Sequence, residues 1–260
     1  MMRTLFAVFA IAVFAGPTLA ADLEPGVWRG TLTVESPRAK ESKIETKAAL
    51  HLGPDIGNGG NQLYLEHIKK VLPIVAIDPA TDGSFEVTAS GEGMQVSLRG
   101  LRATRGGDLE ASVIYEPDAG APLIGKANLD RMKALSPPSL RANCGAAPDS
   151  LKSLCGVWSG ISLRGQPKLL VIDTITRNKQ KIAWEVKAKQ SWGGESDLAS
   201  AGMSFPYTEY VTDEQLPLAI LPLRTTGKLS YRFEVDDADH MTGGHITDPA
   251  DRTIYTRIKK

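Results

Sequence analysis

The sequence predicts an all-β chain of two tandem antiparallel meanders, each closing into a small barrel or sandwich. Three observations carry that prediction. First, Gly26-Val27-Trp28-Arg29-Gly30 recurs as Gly156-Val157-Trp158-Ser159-Gly160, identical at four of five positions and using two of the chain's four tryptophans. One repeat at this distance implies two domains, whereas a solenoid needs three or more short units. Second, short runs of alternating apolar and polar residues are separated by glycine turns. Third, 260 residues at 42% hydrophobic and 23% charged supply apolar material for two cores. Thirty basic against thirty acidic residues give no broad field for a nucleic acid backbone.

The first segment reads as a secretory signal over residues 1–20. Arg3 supplies the positive start, Leu5 to Ala15 the apolar run, and Gly16-Pro17-Thr18-Leu19-Ala20 the turn and small residues before cleavage. The apolar run falls short of the roughly 20 residues a membrane helix needs. No later stretch is apolar enough to span a bilayer. The expected mature protein is therefore soluble, starts at Ala21, and is periplasmic or secreted.

Domain one is expected over 21–133. In its first strand Trp28, Gly30, Leu32 and Val34 share one face, and Arg29, Thr31, Thr33 and Glu35 the other. Phe85, Val87 and Ala89 repeat the pattern after Asp82-Gly83, and Met94, Val96 and Leu98 follow Gly91 and Gly93. Leu109, Ala111, Val113 and Tyr115 come next, then Leu123, Ala127 and Leu129. Gln62 to Leu72 breaks the pattern and is expected to be a short helix.

A linker is expected over 134–154, where Ser136-Pro137-Pro138-Ser139 and Ala146-Ala147-Pro148-Asp149 offer stiffness and little core. The chain's two cysteines, Cys144 and Cys155, lack a C-x-x-C spacing and a nearby His. In an oxidising compartment they are expected to form a structural disulfide. It would pin the linker to the start of domain two, over 155–260. There Leu169 to Ile175 forms a strand, and Ile182, Trp184, Val186, Ala188 and Trp192 share a face of the next. Leu216 to Leu223, Leu229 to Val235 and Thr253 to Ile258 complete the set.

A G-x-W on the first strand of a β-meander of this size resembles the lipocalin and wider calycin barrels. The resemblance implies an Arg on each last strand, stacked on the first-strand Trp where the barrel closes. Arg131 and Arg257 stand 103 and 99 residues after Trp28 and Trp158. A guanidinium over an indole gains about 0.5–2 kcal/mol. Domain two departs in that Ile161 and Leu163 fall off the parity of Trp158, as do Ile254 and Ile258 off that of Arg257. The middle T-D-Y element of lipocalins is missing from the sequence.

For chemistry, the richest stretch is Asp236 to His245. Asp237, Asp239, His240 and His245 offer oxygen and imidazole ligands for a divalent ion such as zinc or manganese, although the spacing matches no calcium loop. The same stretch reads as a hairpin, with Tyr231 to Val235 leading out, the acidic run turning, and Thr242 to Ile246 returning. No G-x-S-x-G, phosphate loop or dinucleotide fingerprint occurs, and His51 and His67 stand without a neighbouring nucleophile. No cofactor is expected beyond such a metal. The basic edge of Arg177, Lys179, Lys181, Lys187 and Lys189 reads as a solvated strand face, with attraction of an anionic polymer or membrane surface as the alternative. Trp184 and Trp192, with Trp28 and Trp158, are core residues that line any cavity a barrel retains. The expected role is a non-catalytic binding protein, taking a small apolar ligand in a barrel or a protein partner on its loops, as an inhibitor does. The alternatives are a hydrolase, with a site at the domain interface or around His240 and His245, and a structural envelope protein that mediates contacts.

Overall fold

Strict alternation makes the strands, because side chains on a pleated backbone point to opposite faces with a period of two. The computed structural model describes residues 23–37, 43–53, 60–104, 106–135, 144–192, 205–225 and 227–258. The expected export signal and Ser136-Pro137-Pro138-Ser139 lie outside the described residues. Barrel one runs β1 (Gly26–Glu35), β2 (Lys43–Leu52), β3 (Gln62–Leu65), β4 (Lys70–Pro79), β5 (Phe85–Gly91), β6 (Met94–Ala103), β7 (Leu109–Glu116) and β8 (Leu123–Arg131). Each strand pairs antiparallel with the next, and β8 returns to β1, closing the barrel. Barrel two repeats the topology with β9 (Gly156–Ser162), β10 (Pro167–Arg177), β11 (Trp184–Trp192), β12 (Phe205–Val211), β13 (Ile220–Thr225), β14 (Lys228–Val235), β15 (His240–His245) and β16 (Thr253–Arg257), closing through β16 and β9. Among the described residues no helix is long and apolar enough to cross a membrane.

The second glycine of each pentapeptide is required by closure. A Cβ on Gly30 would lie 1.9 Å from the Asn128 carbonyl oxygen, and one on Gly160 would lie 2.2 Å from that of Ile254. Any side chain there would push the closing strand away. The repeat therefore encodes the seam of each barrel, with its tryptophan pointing in and its glycine admitting the neighbour.

Two expectations are corrected. Gln62 to Leu72 is not a helix but β3, a turn over residues 66–69, and the start of β4. The turn closes through Lys69 at φ 54°, a conformation that sequence usually advertises with Gly or Asn. The linker also proves to contain core. Cys144, Ala147, Leu151 and Leu154 are buried against the interior of barrel two, on a segment holding the single turn of α1 (Asp149–Lys152). The Cys144–Cys155 disulfide is formed and ties this segment across the barrel end. Leu135 packs against Val157, Leu169 and Val171 on the outside of β9 and β10.

The barrels meet along a small seam. Outward-facing Ala49 and Tyr64 of barrel one pack with Ala250 of barrel two. Gly165, in the β9–β10 turn, approaches so closely that a Cβ would come within 2.9 Å of both Arg29 and Ala49. Arg164 lies 5.8 Å from the Tyr64 ring centroid and 2.5 Å from Asp248. At the centre, fully buried His51 donates from Nε2 to the Leu163 carbonyl at 2.9 Å, and its Nδ1 has no partner.

That geometry predicts acid sensitivity. Burial pushes the His51 pKa from 6.5 down to about 4, with the bond to Leu163 acting against the shift. A base whose folded pKa is lowered favours folding when neutral. Its contribution is complete above pH 6.5 and is lost as pH falls towards 4. The urea midpoint is expected to fall through that window, with about 3 kcal/mol attributable to this group. His51→Gln retains a donor for Leu163 and should flatten the profile there; an unchanged profile would assign the acid response elsewhere.

A polar end in the second barrel

The two barrels share a register around their closing strands, so their interiors can be compared position by position there. Trp28 pairs with Leu50 and Trp158 with Leu170, while Gly30 pairs with Ala48 and Gly160 with Lys168. On the closing strands Gly30 faces Leu129 and Gly160 faces Tyr255. Lys168 thus occupies the place of Ala48, and Tyr255 that of Leu129. Continuing around, Ser162 and Thr253 stand where barrel one has Leu32 and Ala127. Gln190, paired with Leu170, replaces Leu63, paired with Leu50. Tyr231 and His245, a facing pair, replace Leu98 and Val113. Every apolar residue in this set from barrel one has a polar or phenolic counterpart in barrel two.

These side chains form one connected system. Lys168, fully buried, makes a short ion pair with Asp251. The other Asp251 oxygen accepts the His245 backbone N–H at 3.0 Å. Gln190 Nε2 donates to the Tyr255 hydroxyl at 2.7 Å, while Gln190 Oε1 is buried without a partner. The Tyr207 and Tyr231 rings meet edge-on at 5.2 Å, and His245 meets Tyr231 edge-on at 5.1 Å. Burial raises the Tyr207 pKa to about 12 and raises those of Tyr231 and Tyr255 as well, so all three remain neutral hydroxyls. Burial lowers the Lys168 pKa, and Asp251 acts against that shift.

Such groups are costly inside a protein. A buried polar atom left without a partner costs about 1–3 kcal/mol, and a buried ion pair is often no more stable than an apolar replacement. Barrel one builds the same fold with apolar side chains at the matching inward positions. The arrangement offers an acceptor, hydroxyls and balanced charge.

The opposite end of barrel two is closed. Trp158 donates from Nε1 to the Leu154 carbonyl at 2.9 Å, beneath the disulfide-bound segment. The Arg257 guanidinium lies 5.5 Å from the Trp158 ring centroid and donates to the carbonyls of Cys155 and Ala238. Arg131 sits 5.5 Å from the Trp28 ring in barrel one, where Trp28 Nε1 donates to Gly107 O at 2.9 Å.

The tryptophans expected to line a ligand site are therefore dispersed. Trp28 and Trp158 close different barrels. Trp184 lies under Arg177 at 4.2 Å and donates to Asp213 at 2.8 Å, at the end remote from Gln190. Six steps along the strand separate these two, about 20 Å. Trp192 pairs in register with Lys168, which places it at the polar end; its side chain lies outside the described residues. The expected metal ligands also separate. His240 Nδ1 lies 2.9 Å from Asp237, whose carboxylate also accepts the backbone N–H groups of Asp239 and His240. That bonding lowers the Asp237 pKa and raises that of His240. His245 stands at the other end of β15, with Nδ1 2.9 Å from the Thr247 hydroxyl. Among the described residues no group of three His, Cys, Asp or Glu side chains is placed to hold a metal ion. The acidic run is the hairpin turn between β14 and β15.

Two closed eight-stranded antiparallel barrels, each with a Trp–Arg contact at its closing strands, agree with a calycin-like barrel architecture. No family model, curated protein or solved structure matches the chain.

Proposed function

We propose that this chain is an exported binding protein in which barrel one is the scaffold and the polar end of barrel two is the recognition site. The observation that carries the reading is the exchange of apolar for polar side chains at matched inward positions of one end of the barrel. Polar groups that lower stability and that the fold does not need are found at functional sites. Export is supported by the three-part pattern of residues 1–20 and by the disulfide. The interior chemistry favours a polar ligand over an apolar one.

The test is native mass spectrometry of protein purified gently from its own compartment, followed by denaturation. The expected result is a small-molecule adduct that is released on unfolding and is absent from Gln190→Leu. A bare chain in every preparation, with no thermal response to a broad panel of polar metabolites, would overturn the reading.

A further inference from the structure

We infer that the ligand of barrel two is an uncharged, hydroxyl-rich molecule of the neutral sugar class. This rests on the binding reading above and deepens it. Three features of the site point to this chemistry.

The first is charge balance. Lys168 is paired with Asp251, and Arg164, at the adjacent seam, with Asp248. The phenols of Tyr207, Tyr231 and Tyr255 are neutral. An ionic ligand would bring a charge into an enclosed site whose own charges are already matched, and an unmatched buried charge is strongly disfavoured.

The second is the unused valence. Gln190 is fully buried and its amide N–H is taken by Tyr255, which leaves Oε1 as an acceptor with no donor. A ligand that satisfies it must carry an O–H or N–H. The third is the ring set. Tyr207, Tyr231, Phe233 and Tyr255 form a continuous aromatic chain with centroids 5.2 to 6.2 Å apart. Rings that take carbon–hydrogen faces, beside hydroxyls and an amide that take polar edges, suit a sugar ring, which presents both.

The experiment is calorimetric titration and thermal shift of the full mature chain with glucose, galactose and N-acetylglucosamine, alongside glucuronate and glucosamine as charged counterparts. At least one neutral sugar is expected to bind and to raise Tm, with the charged forms at least tenfold weaker. Gln190→Leu, which installs the residue barrel one carries at Leu63, should stay folded by circular dichroism and lose the response at least tenfold. Equal binding of charged and neutral forms, or undiminished binding by Gln190→Leu, would overturn the assignment. So would a native adduct of another chemical class, an outcome that leaves the binding reading standing. A bare chain that responds to nothing sinks both. If binding is found, free sugars and glycan fragments with the same terminal residue, titrated side by side, show whether the source is soluble or polymeric.

Discussion

Asp251→Ala is expected to destabilise the protein by about 3–5 kcal/mol, because it leaves Lys168 enclosed without its counter-charge. Lys168 is fully buried, and burial already lowers its pKa against the opposing pull of Asp251. Without the carboxylate the largest pull towards the charged form is lost while the desolvation stays, so folding must either retain a poorly matched ammonium or release its proton. The double variant Lys168→Ala with Asp251→Ala is expected to recover part of the loss. Alanine is what barrel one carries at the equivalent Ala48, so the fold accepts it there. Asp251 also receives the His245 N–H at 3.0 Å, and that lost bond sets a floor of about 1 kcal/mol beneath the double variant. Urea unfolding of the wild type and the variants completes the cycle. A single-variant cost below 1 kcal/mol would show that the pair is solvated and that the polar end is open to water.

The barrels were legible in the sequence because their determinants are local. Alternation along β1, β7 and β11 depends on the pleat alone, and Trp28 with Gly30 and Trp158 with Gly160 are read directly from the repeat. The segment from Gln62 to Leu72 is not legible as a hairpin because its turn uses Lys69 with positive φ, which no glycine or asparagine marks. The core contribution of Cys144 to Leu154 was hidden for another reason. Small residues and a proline resemble a tether until the barrel end that receives Leu151 and Leu154 is known. The polar end required register, which no single strand carries. One signal for it was nevertheless present. Ile161 and Ile254 fall off the inward parity because Ser162, Thr253 and Tyr255 hold the inward places. Aligning the pentapeptides and comparing polarity at equal offsets would have separated a departure from the fold from a change of its interior.

Trp158→Ala is expected to cost about 3–5 kcal/mol, the range for truncating a large buried aromatic. The indole is fully buried, packs in the main cluster of barrel two, and donates to Leu154. Its loss should also be transmitted outward, since the segment it holds carries buried Ala147 and Leu151 and ends at the Cys144–Cys155 bridge. Replacing both cysteines with Ser is expected to cost about 3 kcal/mol by freeing a short loop in the unfolded chain. The two changes act on one segment, so their costs should not add. Once the bridge is gone the segment can leave the barrel end, and the hydrogen bond from Trp158 has less to hold. A coupling of about 0.5–3 kcal/mol is the usual size for such neighbours, and the combined variant should be less damaged than the sum by that amount. Trp28→Ala in barrel one provides the comparison. Its indole donates to Gly107 in a β6–β7 turn that no disulfide restrains, so it should show no coupling to the cysteines. Coupling at both tryptophans would point to communication through the seam, whereas additivity at both would mean that the segment is held by its apolar contacts alone.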